Sequence, residues 1–382
     1  MTGIYGTNDP AFDSVRGLLQ KHLASGSELG LSLCVNIDGK EVLDLWGGHA
    51  DVAKTKPWEK DTLTVIWSCS KVVTNLAAIL LVDRGLLDVN ENVATYWPEF
   101  AANGKENVKV SHILSHTSGL PAWDLPITLE EVCDNKTATE KLAQQAPWWN
   151  PGEGSGYHLV TQGHIIGEII FRITGKSLEK FVEENITRPL GADFQYGVPE
   201  ERWSRTADVI PPPLPSVGSL DPGSVMVRAY MGSPLPAEVS MMPVFRKAVL
   251  GASNGFSNAR AMARIGSIVS LDGTANGKYL VGPKTLAEFL EEQVQGHDRV
   301  TGEFVRFALG VALSDSRTRP WIPEGDICFW GGWGGSIIIM DRERRMTIAY
   351  AMNNMAGVGT IGNPNTEAYV REIYEAVKNI TV

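Results

Sequence analysis

The chain has 382 residues, 43% of them hydrophobic and 20% charged, the balance of a soluble globular protein with a sizeable core. With 44 acidic against 34 basic residues the net charge is −10, so no basic excess displaces phosphate counterions and no nucleic-acid partner is expected. No window of the sequence approaches the roughly 18 apolar residues of a membrane-spanning helix, so no membrane association is expected either.

Residues Met1 to Pro10 have neither a basic start nor an apolar core, and no secretory leader is expected there. Cys34, Cys69, Cys133 and Cys328 lie far apart without a C-x-x-C pair. This argues against a disulfide framework or a zinc site and for reduced thiols in the cytoplasm.

Ala11 to Ala24 spaces Phe12, Val15, Leu18, Leu19 and Leu23 helically. Leu31 to Ile37 then runs apolar and β-branched, Asp38-Gly39 is a strong hairpin signal, and Glu41 to Trp46 reads as the returning strand. Lys71 to Arg84 is an apolar helix that stops at Gly85. Thr161 to Thr174 is a second, ending at Gly175, and Ser177 is expected to cap a third. Pro211 to Pro236 is rich in proline and glycine and reads as an irregular lid or binding loop. Ser336 to Met340 and Met346 to Met352 are strands around a charged turn, and a helix closes the chain from about Thr366 to Ile380. Strands at both ends of the chain point to one sheet closed by the two termini.

The chemistry concentrates in Trp67-Ser68-Cys69-Ser70-Lys71, directly ahead of the apolar helix. Ser68 and Lys71 are three apart, so on a helix they share a face one turn apart. A serine hydroxyl needs a neighbouring base. A lysine becomes one when burial lowers its pKa. A second serine motif, Gly251-Ala252-Ser253-Asn254-Gly255, fits the G-x-S-x-G of hydrolase elbows. Phe245 to Leu250 before it does not read as a central strand, and Ser253 is expected to lie in a glycine-rich loop capping the helix after Asn258. His112, His116, His158 and His164 form no paired metal spacing, and no metal or other cofactor is expected.

Ser68-x-x-Lys71, Leu114-Ser115-His116-Thr117-Ser118-Gly119-Leu120-Pro121, Trp149-x-Pro151-Gly152 leading to Tyr157, and Trp330-Gly331-Gly332-Trp333-Gly334-Gly335-Ser336 recur in order. In this the chain resembles the serine β-lactamase and penicillin-binding-protein superfamily. Within it the chain is most similar to the family VIII carboxylesterases, relatives of class C β-lactamases. The resemblance implies a β-lactamase-like α/β (α+β) fold. An antiparallel sheet formed by both termini and flanked by helices would come from residues 1–65 and 255–382. A mostly helical domain would come from residues 66–254, with a proline-rich loop near 205–240 and the active site at the junction.

It further implies Ser68 as acylated nucleophile, with Lys71 and Tyr157 sharing the proton transfers. The Ser68 and Trp333 N–H groups would form the oxyanion hole. Where β-lactamases carry Lys-Thr-Gly, this chain has Trp330-Gly331-Gly332, and an indole has no positive charge to pair with a carboxylate. The expected substrate is therefore a small neutral ester or lactone, bound by Trp330, Gly331, Gly332, Trp123 and His158 in an aromatic-walled pocket. Acyl transfer to an alcohol or amine, β-lactam or D-amino-acid amide hydrolysis, and a catalytically silent binding protein are the alternatives.

Overall fold

The structure is a computed structural model describing residues 3–212, 221, 223–356 and 361–378. Its sheet is built out from the first hairpin. Strands Gly30–Ile37 and Lys40–Gly48 pair around Asp38 and Gly39, with φ of 50° and 81°. Two successive positive φ values give a turn whose twist matches the strands, and Asp-Gly is the pair that tolerates them.

Among the described residues nine strands form one antiparallel sheet. Its order is Ile4–Asn8, Lys40–Gly48, Gly30–Ile37, Met346–Met352, Ile337–Asp341, Ile327–Gly331, Ala312–Leu313, Phe304–Phe307 and Val294–His297. Met346–Met352 pairs with Gly30–Ile37, placing Ile348 opposite Val35. The two ends of the chain thus close the sheet, as the sequence leads one to expect.

Both central strands are buried along their whole length, and helices explain why. Successive side chains of a strand face opposite ways. From Met346–Met352, Thr347 meets Ser270 on the Ala259–Ser270 helix with 2.7 Å between hydroxyls, while Tyr350 packs its ring on Tyr369 of the Pro364–Val377 helix. The Asp13–Ser25 helix joins Pro364–Val377 on that second face. With both faces covered, continuous apolar runs replace an in–out alternation.

The middle of the chain is mostly helical. Ser70–Asp83 and Thr161–Thr174 pack on each other, and Gly175 ends the latter in a left-handed turn with φ 69°. Ser177 sits at the N-cap of Leu178–Val182, but its hydroxyl makes no cap bond. That helix runs on into a wider turn over Glu183–Thr187, where the expectation was a single capped helix. Asn258 caps Ala259–Ser270, its side chain accepting from the Ala261 N–H at 3.0 Å.

The proline-rich stretch is less irregular than its composition suggests. A helix at Val225–Met231, capped by Ser224, lies within it, and a 3₁₀ turn at Ala237–Met241 follows; residues 213–220 and 222 lie outside the described part. Ile380, at the expected end of the last helix, also lies outside it. No helix among the described residues is long and apolar enough to cross a membrane.

Candidate active site

A turn of 3₁₀ helix, Trp67–Cys69, leads directly into the Ser70–Asp83 helix and carries Ser68 at its tip. Trp67 adopts φ 46°, a conformation that costs a bulky residue about 1–3 kcal/mol unless its surroundings hold it. They do. Its ring packs edge-on against Trp333 at 5.3 Å and tilted against Phe245 at 5.8 Å, and its carbonyl accepts the Ser70 hydroxyl. Ser68 is left half-buried within an otherwise buried segment.

Lys71 is wholly buried. Its Nζ lies 3.3 Å from Ser68 Oγ, 3.0 Å from the Leu159 carbonyl and 3.1 Å from the Ala252 carbonyl. No carboxylate is among these partners. Burial accordingly pushes the amine well below the usual lysine range. A neutral amine has two N–H groups and one lone pair. In that form the two carbonyls, which only accept, would take both N–H groups and leave the lone pair for the Ser68 hydroxyl; as an ammonium the group donates to all three, Ser68 Oγ included.

Ala252 belongs to the loop that carries the second serine motif. Thr74 Oγ1 donates to the Gly251 carbonyl at 2.6 Å and the Gly255 N–H donates to Ser70 Oγ at 2.8 Å. The Gly251–Gly255 loop is thus bound along the Ser68 helix and supplies an acceptor to Lys71. Ser253 itself makes no contact with that amine among the bonds of the described residues.

Tyr157 is 5% exposed, and Lys71 Nζ stands over its ring, 4.7 Å from the centroid. Burial raises its hydroxyl above the usual phenol range, while hydrogen bonding with Ser68 and Trp330 pulls the other way. It stays a neutral phenol at ordinary pH.

The third element comes from the sheet. Trp330 and Gly331 end the Ile327–Gly331 strand, and Gly332 follows. A Cβ on Gly332 would lie 2.2 Å from the Ile66 carbonyl oxygen, so only glycine permits this approach to the Ser68 turn. Ser336 Oγ donates to the same Ile66 carbonyl at 3.1 Å, and Cys69 Sγ faces the Trp330 carbonyl at 3.7 Å. Among the described residues neither the Ser68 nor the Trp333 backbone N–H has an acceptor.

A narrow cavity beside Tyr157 is lined by Thr301, Glu303, Val305, Phe307, Trp330, Gly331 and Ile361. Glu303 is held by Arg319 Nη2 at 3.0 and 3.1 Å, and the described lining residues include no cationic side chain.

Two expected pocket residues lie elsewhere. Trp123 is fully buried in the helical part, its Nε1 donating to the Ala138 carbonyl at 3.0 Å and its ring edge-on to His164. His158 is equally buried. Its Nδ1 lies 2.7 Å from His116 Nδ1 and its Nε2 2.6 Å from Ser118 Oγ, leaving no polar atom for a substrate. His116 Nδ1 also accepts the His158 backbone N–H at 3.2 Å, which fixes it as the acceptor of both bonds. The His116 ring stacks on Trp330 at 5.4 Å and meets Tyr157 edge-on at 5.0 Å. Trp330 does line the cavity, but at 2% exposure it is mainly the support between His116, Phe307 and Tyr157.

The family model described as Beta-lactamase matches residues 15–368. The chain belongs to the beta-lactamase family. Among solved members of comparable fold, a family VIII carboxylesterase superposes with TM-score 0.90 at 33% identity, over 98% of this chain and 99% of its own. A penicillin-binding-protein homologue from Caulobacter crescentus gives 0.90 at 32% identity, with the same shares covered. Esterase/beta-lactamase LipL of Mycobacterium tuberculosis is 29% identical over 286 residues, which span 72% of this chain and 66% of LipL. Esterase EstB of Burkholderia gladioli is 32% identical over 162 residues, 38% of this chain and 41% of EstB. This beta-lactamase-family chain thus has esterases and β-lactamases alike among its relatives.

Proposed function

We propose that this protein hydrolyses small neutral carboxylic esters through a covalent acyl-enzyme on Ser68. The observation that carries the reading is the Lys71 environment: two carbonyls hold its N–H groups, no counter-ion keeps it charged, and Ser68 Oγ lies 3.3 Å away. Lys71 takes the serine proton as Ser68 attacks the ester carbonyl. The Ser68 and Trp333 N–H groups receive the developing oxyanion. Tyr157, a phenol in contact with the same serine, hands a proton to the departing alcohol and recovers one from the water that releases the acid.

The cavity supports a neutral substrate: among its described lining residues the one charged group is a carboxylate already paired with Arg319. Likeness to a family VIII carboxylesterase across nearly the whole chain supports an ester as the substrate.

Intact-mass spectrometry after mixing with p-nitrophenyl esters of graded chain length tests this. An acyl adduct on Ser68, lost in Ser68→Ala and kept in Ser253→Ala, is the expected result. An adduct that survives Ser68→Ala, or depends on Ser253, overturns the assignment. Adding acceptor alcohols to the same reaction separates hydrolysis from acyl transfer.

A further inference from the structure

Tyr157 lies in a stretch with neither helix nor strand, so no ladder of backbone bonds fixes it. Its backbone N–H donates instead to Asp298 Oδ1 at 3.1 Å, across 141 positions of sequence. The same oxygen accepts the N–H groups of Val300 and Thr301, both at 2.9 Å, and the Thr301 hydroxyl at 3.3 Å. Asp298 is 2% exposed, and its Oδ2 is buried with no partner.

A carboxylate this buried, with one oxygen unserved, is a poor device for stability. Its geometry makes it a clamp. The next residue grips the same stretch: the Arg299 N–H donates to the Ser155 carbonyl at 2.9 Å and its Nη2 to the Glu153 carbonyl at 2.6 Å, with the guanidinium over the Trp149 ring at 4.9 Å. The loop is closed on itself by Asp298 N–H to the Glu303 carbonyl at 2.9 Å and Gly302 N–H to the Asp298 carbonyl at 2.8 Å.

We propose that Asp298 is a positioning residue of the reaction, one whose Oδ1 sets where the Tyr157 hydroxyl stands relative to Ser68. This rests on the ester-hydrolase reading above. Asp298 touches neither substrate nor the reacting serine; it acts through the Tyr157 backbone. Loop 298–303 also contributes Thr301 and Glu303 to the cavity wall, so one oxygen registers the proton-transfer group against the pocket. A displacement near 1 Å at such a group costs about a hundredfold in rate.

The test compares Asp298→Asn, which keeps an acceptor oxygen in place, with Asp298→Glu, which keeps the charge but moves the acceptor by one methylene. Each is made in the wild-type and the Tyr157→Phe background. With p-nitrophenyl butyrate, Asp298→Asn is expected to stay within about fivefold of wild-type kcat and Asp298→Glu to fall at least about thirtyfold, both with KM within about threefold. In the Tyr157→Phe background both substitutions are expected to change kcat less than about threefold, because the group they position is gone.

An Asp298→Glu variant as active as Asp298→Asn overturns the proposal, and so does an equal loss in the Tyr157→Phe background. The rate of Ser68 labelling by a fluorophosphonate, read by mass in all variants, is the second measurement. A wild type that is labelled but cleaves no ester overturns the ester reading alone, and the labelling rates then judge Asp298 by the same order of variants. A wild type that is not labelled at all overturns both.

Discussion

Lys71 Nζ stands 4.7 Å from the centre of the Tyr157 ring, over its face, and its nearest polar partners are Ser68 and two carbonyls. Lysine and tyrosine therefore meet at Ser68 and not through a bond between themselves. In the proposed reaction Lys71 takes the serine proton, and the ring face would suit the resulting ammonium, since a desolvated cation over an aromatic face gains about 2 kcal/mol.

Removing either group is expected to slow the chemical step differently. Lys71→Met abolishes the burst of p-nitrophenol because no base remains within reach of Ser68. Tyr157→Phe keeps the ring that faces Lys71 and loses the proton donor, lowering turnover about a hundredfold or more. The double variant is expected to be no slower than Lys71→Met. Stopped-flow absorbance checks all three. A full burst in Lys71→Met would remove lysine from the base role.

How much of this was legible in the sequence depends on how local each relationship is. Ser68 and Lys71 declare themselves because three residues are one helical turn. The Asp38-Gly39 hairpin does so because its turn chemistry is confined to two positions. Trp123 and His158 were misplaced because clustering near a motif says nothing about which face a side chain takes. The Ala138 carbonyl and the His116 ring that bury them are 15 and 42 positions away. Strands such as Val294–His297 and Ala312–Leu313 are too short for a periodicity to emerge. The Leu159 and Ala252 carbonyls that hold Lys71 are backbone atoms, which no side-chain pattern marks.

Glu28 provides a pH-dependent stability test away from the site. It is 3% exposed, and its Oε1 accepts from Tyr350, from Tyr369 at 3.1 Å and from Asn365 at 3.0 Å, joining the sheet to the last helix. Burial pushes its carboxyl up to about 7, the three donors pulling the other way. A carboxyl raised on folding holds its proton more tightly when folded. Its contribution is complete below the unfolded carboxyl range and is lost as pH rises through about 7. Glu28→Gln, which cannot ionise, is expected to melt near the wild type at pH 5 and to gain on it by pH 9, by about 2 kcal/mol. Thermal melts across that range decide it; a constant gap means Glu28 stays in one protonation state.

The histidine pair makes a spectroscopic prediction. Burial lowers His116 well below the usual range and takes His158 down to about 3, each also lowered by the nearby Lys71. Both rings are therefore expected to remain neutral, with ring-proton shifts that do not move between pH 5 and 8 by NMR. Ser118→Ala removes the donor to His158 Nε2 and is expected to cost about 1–3 kcal/mol of stability, the penalty of a buried acceptor left bare. Shifts that titrate near neutrality would show that solvent reaches the pair.

Selectivity against anionic substrates depends on what Trp330 does. The resemblance to β-lactamases implies that Trp330 stands where they carry a carboxylate-binding lysine, and a charged hydrogen bond is worth about 1.5–3 kcal/mol, or ten- to a hundredfold. The wild type is accordingly expected to favour p-nitrophenyl butyrate over nitrocefin by kcat/KM. Restoring the lysine, however, is not a simple exchange here. The indole is 2% exposed and packed on His116, Tyr157 and Phe307, so Trp330→Lys places an ammonium among aromatic rings and leaves a void beside the proton donor. Truncating a buried tryptophan costs about 3–5 kcal/mol. Trp330→Lys is therefore expected to lower the melting temperature sharply and to lose butyrate turnover without a matching gain on nitrocefin. Trp330→Phe, which preserves an aromatic face for His116, is expected to keep most of both stability and esterase activity. The measurements are melts and the ratio of kcat/KM for the two substrates in each folded variant. A stable Trp330→Lys protein whose ratio swings a hundredfold towards nitrocefin would show that position 330 reads the substrate directly, and a wild type that already prefers nitrocefin would make the neutral-ester assignment untenable.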